Sequence, residues 1–214
     1  MKSALDQAVD WELLARNPLQ NIEIPRARRR DIHSTWSMEQ VNHFLNSAKF
    51  ESVIYYALFL VMVNTGMRRG EVLGLRWQDV DMNQGKINVV RTLVYDEDGF
   101  RFHEPKTSSS KRQISIDEFV CEELRKYKSK QNEFKLAIGS SYEDNGLLFC
   151  REDGKPIYPR QLATVFNRIA KAAKVPKIRI HDIRHTHATL LLKLGENPKV
   201  VSEYDGPICQ DNNF

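Results

Sequence analysis

The chain has 214 residues, enough for one sizeable domain, and its 41% hydrophobic and 28% charged residues are typical of a globular protein. The longest apolar run, residues 55–63, is too short to span a bilayer, no signal peptide is apparent, and three scattered cysteines indicate free thiols. We therefore expect a cytoplasmic protein without a membrane partner, and its net charge of +4 permits binding to nucleic acid.

The N-terminal part predicts one helix and a basic connector. Apolar residues at helical spacing indicate a helix over residues 3–15, which Asn17-Pro18 ends. Nothing precedes this helix for it to pack against, so residues 1–18 are predicted to be the last helix of a mostly missing domain. Residues 19–31 form a linker, either a solvated connector or a strap along a phosphate backbone, that carries four arginines: Arg26, Arg28, Arg29 and Arg30.

The next segment predicts three helices. Ser37-Met38-Glu39-Gln40 is a capping-box pattern that opens a helix through about residue 48. Residues 51–64 are too continuously apolar for a surface helix and predict a core helix, which Asn64-Thr65-Gly66 ends. A short helix is then expected over residues 72–81.

The middle of the chain predicts a small antiparallel sheet. Residues 86–95 alternate and are rich in β-branched side chains, so they indicate a strand, with a hairpin turn at 96–99 and a return strand over 100–105. Residues 112–116 indicate a third short strand. Lys106 lies between these strands, beside small polar residues.

The C-terminal half predicts a long amphipathic helix over residues 117–136, a buried extended piece at 146–150 and a helix from Pro159 through Ala173. Then comes the densest polar cluster of the chain, residues 181–187, with three histidines, an arginine and an aspartate ahead of an apolar helix. A last helix is expected from residue 198.

Cationic side chains recur where elements end, at Arg68, Lys106, His181 and Arg184. Each has an ordinary interpretation, as a surface arginine, a hairpin lysine or a capped helix start. Together they favour an anion site, because an arginine fork fits phosphate well. His181 and His185 also have the spacing of metal ligands, but no HExxH pattern or clear third ligand accompanies them, so no metal is expected.

Three segments resemble the tyrosine recombinases, also called phage-type integrases. Residues 65–81 (TGMRRGEVLGLRWQDVD) resemble the family's first arginine box, residues 105–114 its β-hairpin lysine, and residues 181–189 (HDIRHTHAT) its H-x-x-R box. The resemblance covers residues 32–203 as a catalytic domain, and residues 1–18 resemble the last helix of the core-binding domain that precedes it in the family. It implies an α+β fold, mainly α, with a small antiparallel β-sheet at one edge.

The resemblance also implies a mechanism on double-stranded DNA without a cofactor or metal. A tyrosine attacks a phosphodiester and forms a 3′-phosphotyrosyl link, which a 5′-hydroxyl then reverses. Arg68 and Arg184 would clamp the phosphate, Lys106 would protonate the leaving oxygen, and His181 would hydrogen-bond the phosphate or move the proton of the nucleophile. Glu71 would orient the positively charged side chains near it and balance their charge, without reacting itself. Lys111, Arg112 and the linker arginines would contact DNA. Family members act as homo-tetramers on paired DNA sites.

The sequence departs from the family after residue 203. The second histidine or tryptophan box and the nucleophilic tyrosine are not found, and Tyr204 comes too early to replace that tyrosine. We interpret residues 204–214 as an atypical, non-native tail, which a frameshift would explain. The expected function is DNA integration or site-specific recombination, by a chain that does not cleave DNA alone. The alternatives are a catalytically dead DNA-binding remnant and, third, a metal- or phosphate-dependent hydrolase.

Overall fold

The computed structural model describes residues 2–19, 35–103 and 112–195, and the chain divides into two compact units, Met1–His33 and Ser34–Phe214. In the first unit, α1 (Lys2–Asp10) is shorter than the predicted helix. The chain turns after it, and Glu12 adopts a positive φ of 58°. Asn17 closes this turn, because its Nδ2 donates to Asp6 Oδ1 at 2.5 Å and its Oδ1 accepts the Leu19 amide at 2.8 Å. The linker arginines 26 and 28–30 lie outside the described residues.

Helices dominate the second unit, and the predicted class, mainly α with small antiparallel sheets, is confirmed. The predicted helices are present with small shifts of their ends, apart from the one expected over 72–81, and the last expected helix, from residue 198, lies outside the described residues. The helices of this unit are α2 (Met38–Glu51), α3 (Val53–Thr65), α4 (Arg69–Gly74), α5 (Glu118–Ile138), α6 (Pro159–Ala172) and α7 (Asp182–Lys193).

The central helix of this unit is α3, as its continuous apolar run predicts. Ten of its 13 residues are buried, and it packs against α2, α5 and α7. The ring of Phe59 lies 5.1 Å from that of Phe44 and 5.7 Å from that of Phe166, and Trp36 lies 4.9 Å from Phe44. This aromatic cluster holds α3 within the core, and the predicted site begins at the C-terminal end of that helix.

Two small antiparallel sheets replace the single predicted one. One contains β1 (Val80–Asp81), β2 (Lys86–Val89) and β5 (Arg112–Ser115) in the order β1-β2-β5; the other pairs β3 (Thr92–Asp96) with β4 (Gly99–His103). The predicted continuous strand over 86–95 is wrong, because the chain changes sheets at residues 90–91. There Arg91 pairs with the buried Asp79 at 3.2 Å, and β3 then runs so close to α4 that a Cβ on Gly70 would lie 2.9 Å from the Leu93 carbonyl.

The predicted helix over residues 72–81 is also wrong. α4 ends at Gly74, and residues Trp77–Asp79 form one 3-10 turn before β1. The backbone is drawn into extended pairing instead: Leu148 donates to Leu75 O at 2.8 Å, and Trp77 donates to Gly146 O at 3.1 Å. Arg76 and Leu147 form an isolated antiparallel bridge there, and residues 147–150 are buried as expected, whereas Gly146 is exposed. Within the described ranges, each helix is too short or too polar to cross a membrane.

Candidate functional site

The turn after α3 presents Arg68. Gly66 ends the helix in the left-handed region, with φ of 59°, and its amide donates to Met62 O at 3.0 Å. Thr65 Oγ1 donates to Val61 O at 2.6 Å and accepts the Met67 amide at 3.4 Å. The backbone is therefore fixed up to Met67, and the Arg68 side chain that follows is 49% exposed.

The H-x-x-R segment packs directly on this turn. Arg184 is buried on the first turns of α7, and its Nη1 donates to the Gly66 carbonyl at 2.6 Å. His187 lies one turn later with Nδ1 2.8 Å from the Val63 carbonyl; since a carbonyl only accepts, Nδ1 carries the proton. A Cβ on Gly66 would lie 2.6 Å from the His187 ring. The predicted first arginine box and the H-x-x-R box are therefore in contact, through Gly66 and Arg184, which are 118 positions apart in the sequence.

The start of α7 is held by an ion pair that sequence reasoning missed. Asp182 is buried and accepts three bonds from Arg179: from the amide at 2.9 Å, from Nε at 3.1 Å and from Nη2 at 2.9 Å. Burial opposes ionisation of Asp182, but these bonds and the charge of Arg179 hold its pKa below the ordinary value. The i, i+3 spacing of an arginine and an aspartate was the available signal.

His181 is exposed and lies immediately before this helix. Its ring lies 5.6 Å from that of His185, nearly perpendicular to it. Partial desolvation and the charge of His185 lower the pKa of His181 below its ordinary value, although Asp182 acts in the opposite direction. The imidazole is therefore mainly neutral near pH 7, and a neutral ring can donate one hydrogen bond and accept another.

Glu71 links Arg68 to the strand that follows the predicted lysine segment. Its buried carboxylate accepts the Arg68 amide at 2.9 Å and lies 3.4 Å from Arg68 Nη1. Arg112, the first residue of β5, binds the same carboxylate with both terminal nitrogens, at 3.0 and 2.8 Å. Desolvation would raise the pKa of Glu71, but the bonds and charge of Arg112, aided by Arg68, keep it below the ordinary value. The expected orienting role of Glu71 has a clear structural basis in these bonds.

The structure thus connects three predicted site residues, Arg68, Arg184 and His181, through the Gly66 turn and the first turns of α7. Arg112 is brought to the same place, but as the partner of Glu71. Lys106 and Lys111 lie outside the described residues, as does Tyr204. No group of three or more histidine, cysteine or acidic side chains within residues 2–19, 35–103 and 112–195 is arranged to hold a metal ion.

This arrangement suits an anion. Two arginines and an imidazole lie on adjoining segments, and the buried carboxylates near them are already occupied by arginines. A phosphate diester could accept hydrogen bonds from guanidinium groups with two oxygens at once. Charge that develops on phosphate oxygens would be stabilised by such fixed donors.

Comparison of the sequence with known proteins identifies the family of this chain. The sequence model of the phage integrase family matches residues 35–206. The chain is 34% identical to a XerC-like tyrosine recombinase of Caldanaerobacter subterraneus, over 96% of this chain and 56% of that protein. It is 28% identical to the ICEBs1 integrase of Bacillus subtilis, over 95% of this chain and 55% of that protein. The chain therefore spans little more than half the length of these relatives.

Solved structures share the fold. The Tn1549 transposon integrase, in complex with transposon right-end DNA, superposes with a TM-score of 0.79 at 24% identity, over 95% of this chain and 67% of that chain. The XerA recombinase superposes with a TM-score of 0.65 at 20% identity, over 86% of this chain and 59% of that chain.

Proposed function

Because this chain belongs to the phage integrase family of tyrosine recombinases, we propose that it acts in DNA integration or site-specific recombination. Its substrate is double-stranded DNA, and the reaction breaks and rejoins strands through a phosphotyrosyl link. One observation carries the proposal: Arg184 of the H-x-x-R segment bonds the Gly66 carbonyl, two positions before Arg68. A family match and this meeting of two distant arginine boxes have a common explanation in a phosphate site.

The residue roles are proposed from the pattern of the family, and the placement of Arg68, Arg184 and His181 supports them. Arg68 projects from a fixed turn and contacts one non-bridging oxygen of the scissile phosphate, and Arg184 provides the second clamp. His181 accepts or donates one hydrogen bond at the same phosphate. Lys106 protonates the leaving 5′-oxygen, a role proposed from the family's pattern alone.

The domain assignment is part of the same proposal. Residues 1–18 are the last helix of a core-binding domain, 19–31 a basic linker and 32–203 the catalytic domain; the compact unit that begins at Ser34 supports this boundary. Full-length protein assembles as a homo-tetramer on paired DNA sites, in the cytoplasm. The nucleophile is not assigned to any tyrosine of these 214 residues.

A salt titration of DNA binding tests the proposal. Affinity is measured by fluorescence anisotropy with a short duplex of mixed sequence. The logarithm of the affinity should fall linearly with the logarithm of the salt concentration, with a slope of about 0.9 for each phosphate neutralised. Arg68→Ala should reduce that slope by about one. Arg125→Ala is the matched control, because Arg125 is 44% exposed, pairs with a glutamate as Arg68 does, and lies on α5, which carries none of the predicted site residues.

The outcomes separate the candidate functions. Binding that ignores salt, or an equal effect of Arg68→Ala and Arg125→Ala, would contradict a phosphate site at Arg68. Salt-dependent binding without a covalent adduct on a suicide duplex is expected for this chain, to which no nucleophile is assigned, whereas an adduct would contradict a catalytically dead DNA-binding remnant. Phosphoester hydrolysis that a chelator abolishes would favour a metal-dependent hydrolase instead.

A further inference from the structure

Glu71 is a buried carboxylate shared by two arginines that come from different elements. Arg112 approaches it with a fork, one terminal nitrogen on each oxygen, at 3.0 and 2.8 Å. Arg68 approaches it from its own turn, through the backbone amide at 2.9 Å and one nitrogen at 3.4 Å. The Arg112 bonds are the shorter side-chain pair, and they have the geometry of a strong bidentate ion pair.

Burial separates the tasks of the two arginines. The side chain of Arg112 is 20% exposed, whereas that of Arg68 is 49% exposed. The single negative charge of Glu71 balances one guanidinium, and Arg112 binds both oxygens of the Glu71 carboxylate. Arg68 therefore keeps most of its charge directed to solvent, where a phosphate could approach, and Arg112 has its terminal donors turned inward.

Arg112 also fixes the start of a strand. It pairs with Val89 in the register of β2 and β5, and it follows Lys106 by six positions in the sequence. The bond to Glu71 ties the beginning of β5 to the beginning of α4, 41 residues away.

We propose that Arg112 is a positioning residue of the recombination site, which acts on Arg68 through Glu71 instead of contacting DNA itself. The assignment rests on the proposed function, because that function gives Arg68 its phosphate. It replaces the expectation from sequence that Arg112 binds DNA directly.

A double-mutant cycle with Arg112→Met and Arg68→Ala tests the proposal, read as affinity for a mixed-sequence duplex. If Arg112 acts through Arg68, its replacement weakens binding several-fold in the parent chain but leaves the affinity and salt slope of the Arg68→Ala variant nearly unchanged. If Arg112 contacts a phosphate, the two effects multiply and the double variant loses about one more unit of salt slope. The second result overturns the proposal.

Arg91→Met is the matched control. Arg91 is 14% exposed and pairs with the buried Asp79 at 3.2 Å, so its replacement also removes an arginine from a buried carboxylate. We expect its effect on binding to be the same with and without Arg68. Equal coupling of Arg91 and Arg112 to Arg68 would mean that the cycle reports general loosening, and it would overturn the proposal.

A measurement without DNA keeps this inference separate from the proposed function. The NMR signal of the Arg68 amide, which donates to Glu71, should titrate with the Glu71 carboxyl at higher pH in Arg112→Met than in the parent. Arg112→Lys retains the charge but not the fork, and it should restore the amide signal only in part. An unchanged Arg68 amide in both variants overturns the inference. Failure of the parent chain to bind DNA would contradict the proposed function alone.

Discussion

Replacing Gly66 by alanine perturbs the turn where α3 and α7 meet without removing any charged group. The added methyl group has two consequences. It places an L side chain at φ of 59°, and its Cβ would lie 2.6 Å from Cδ2 of His187, whose ring is held by the Val63 carbonyl. The Gly66 carbonyl accepts the hydrogen bond from Arg184, so a shift of the backbone at Gly66 also displaces that arginine.

The magnitude has two parts. An L residue in the left-handed region is strained by roughly 1–2 kcal/mol, and an extra methyl in a well-packed site costs about 1–3 kcal/mol. We therefore expect Gly66→Ala to lower the free energy of unfolding by about 2–5 kcal/mol. Gly146→Ala is the control, because Gly146 has φ of 65° and a Cβ added there would meet no atom of the described residues within 4 Å, so only the strain applies.

Urea denaturation followed by circular dichroism measures both variants. In a His187→Ala background the ring is absent, and the cost of Gly66→Ala should fall to that of Gly146→Ala. Equal costs for Gly66→Ala and Gly146→Ala in the parent chain, or no relief from His187→Ala, would refute the contact between the turn and α7.

Three further outcomes follow from the described contacts. Because the pKa of Glu71 is lowered from 4.5 in the folded chain, this carboxylate stabilises the fold above pH 4.5, and the contribution is lost as pH falls below that value. In acid unfolding, the free energy of unfolding should therefore decrease less below pH 4.5 for Arg112→Met than for the parent. Desolvation and the charge of His185 lower the pKa of His181, and a bound phosphate would raise it. DNA affinity should therefore increase as pH falls toward that lowered pKa, and His181→Gln should remove this response while His43→Gln, an exposed control on α2, retains it. The 214-residue chain should form no covalent adduct with a suicide duplex, since Tyr204 is its only tyrosine beyond the H-x-x-R segment, and an adduct mapped by mass spectrometry would contradict this.

Much of the helical fold was predictable because the signals are local. The apolar run of α3, the capping box at Ser37 and the proline that opens α6 each predict an element that the structure contains. The strand break at Arg91 was not predictable in the same way, because alternation continues across it. It depends on the ion pair with Asp79 and on the close approach of α4 to β3, which are tertiary contacts.

The same difference between local signals and tertiary contacts applies to the site. Residue types at element ends predicted Arg68, His181 and Arg184, and the structure places them on segments that touch. Their supporting partners were not evident, since the fork between Arg112 and Glu71 joins residues 41 positions apart. An exposed-looking basic sequence at residues 111–112 favoured a DNA contact for Arg112, and only the fold brings a buried carboxylate to it.

The central claim is that Arg68 and Arg184 bind one phosphate. A structure of the chain bound to a duplex, solved with a family-type DNA site, tests it most directly. The account predicts a single backbone phosphate within hydrogen-bond distance, about 3 Å, of both guanidinium groups. Phosphates that contact Arg68 while Arg184 bonds only protein atoms, or that bypass both side chains, would contradict it.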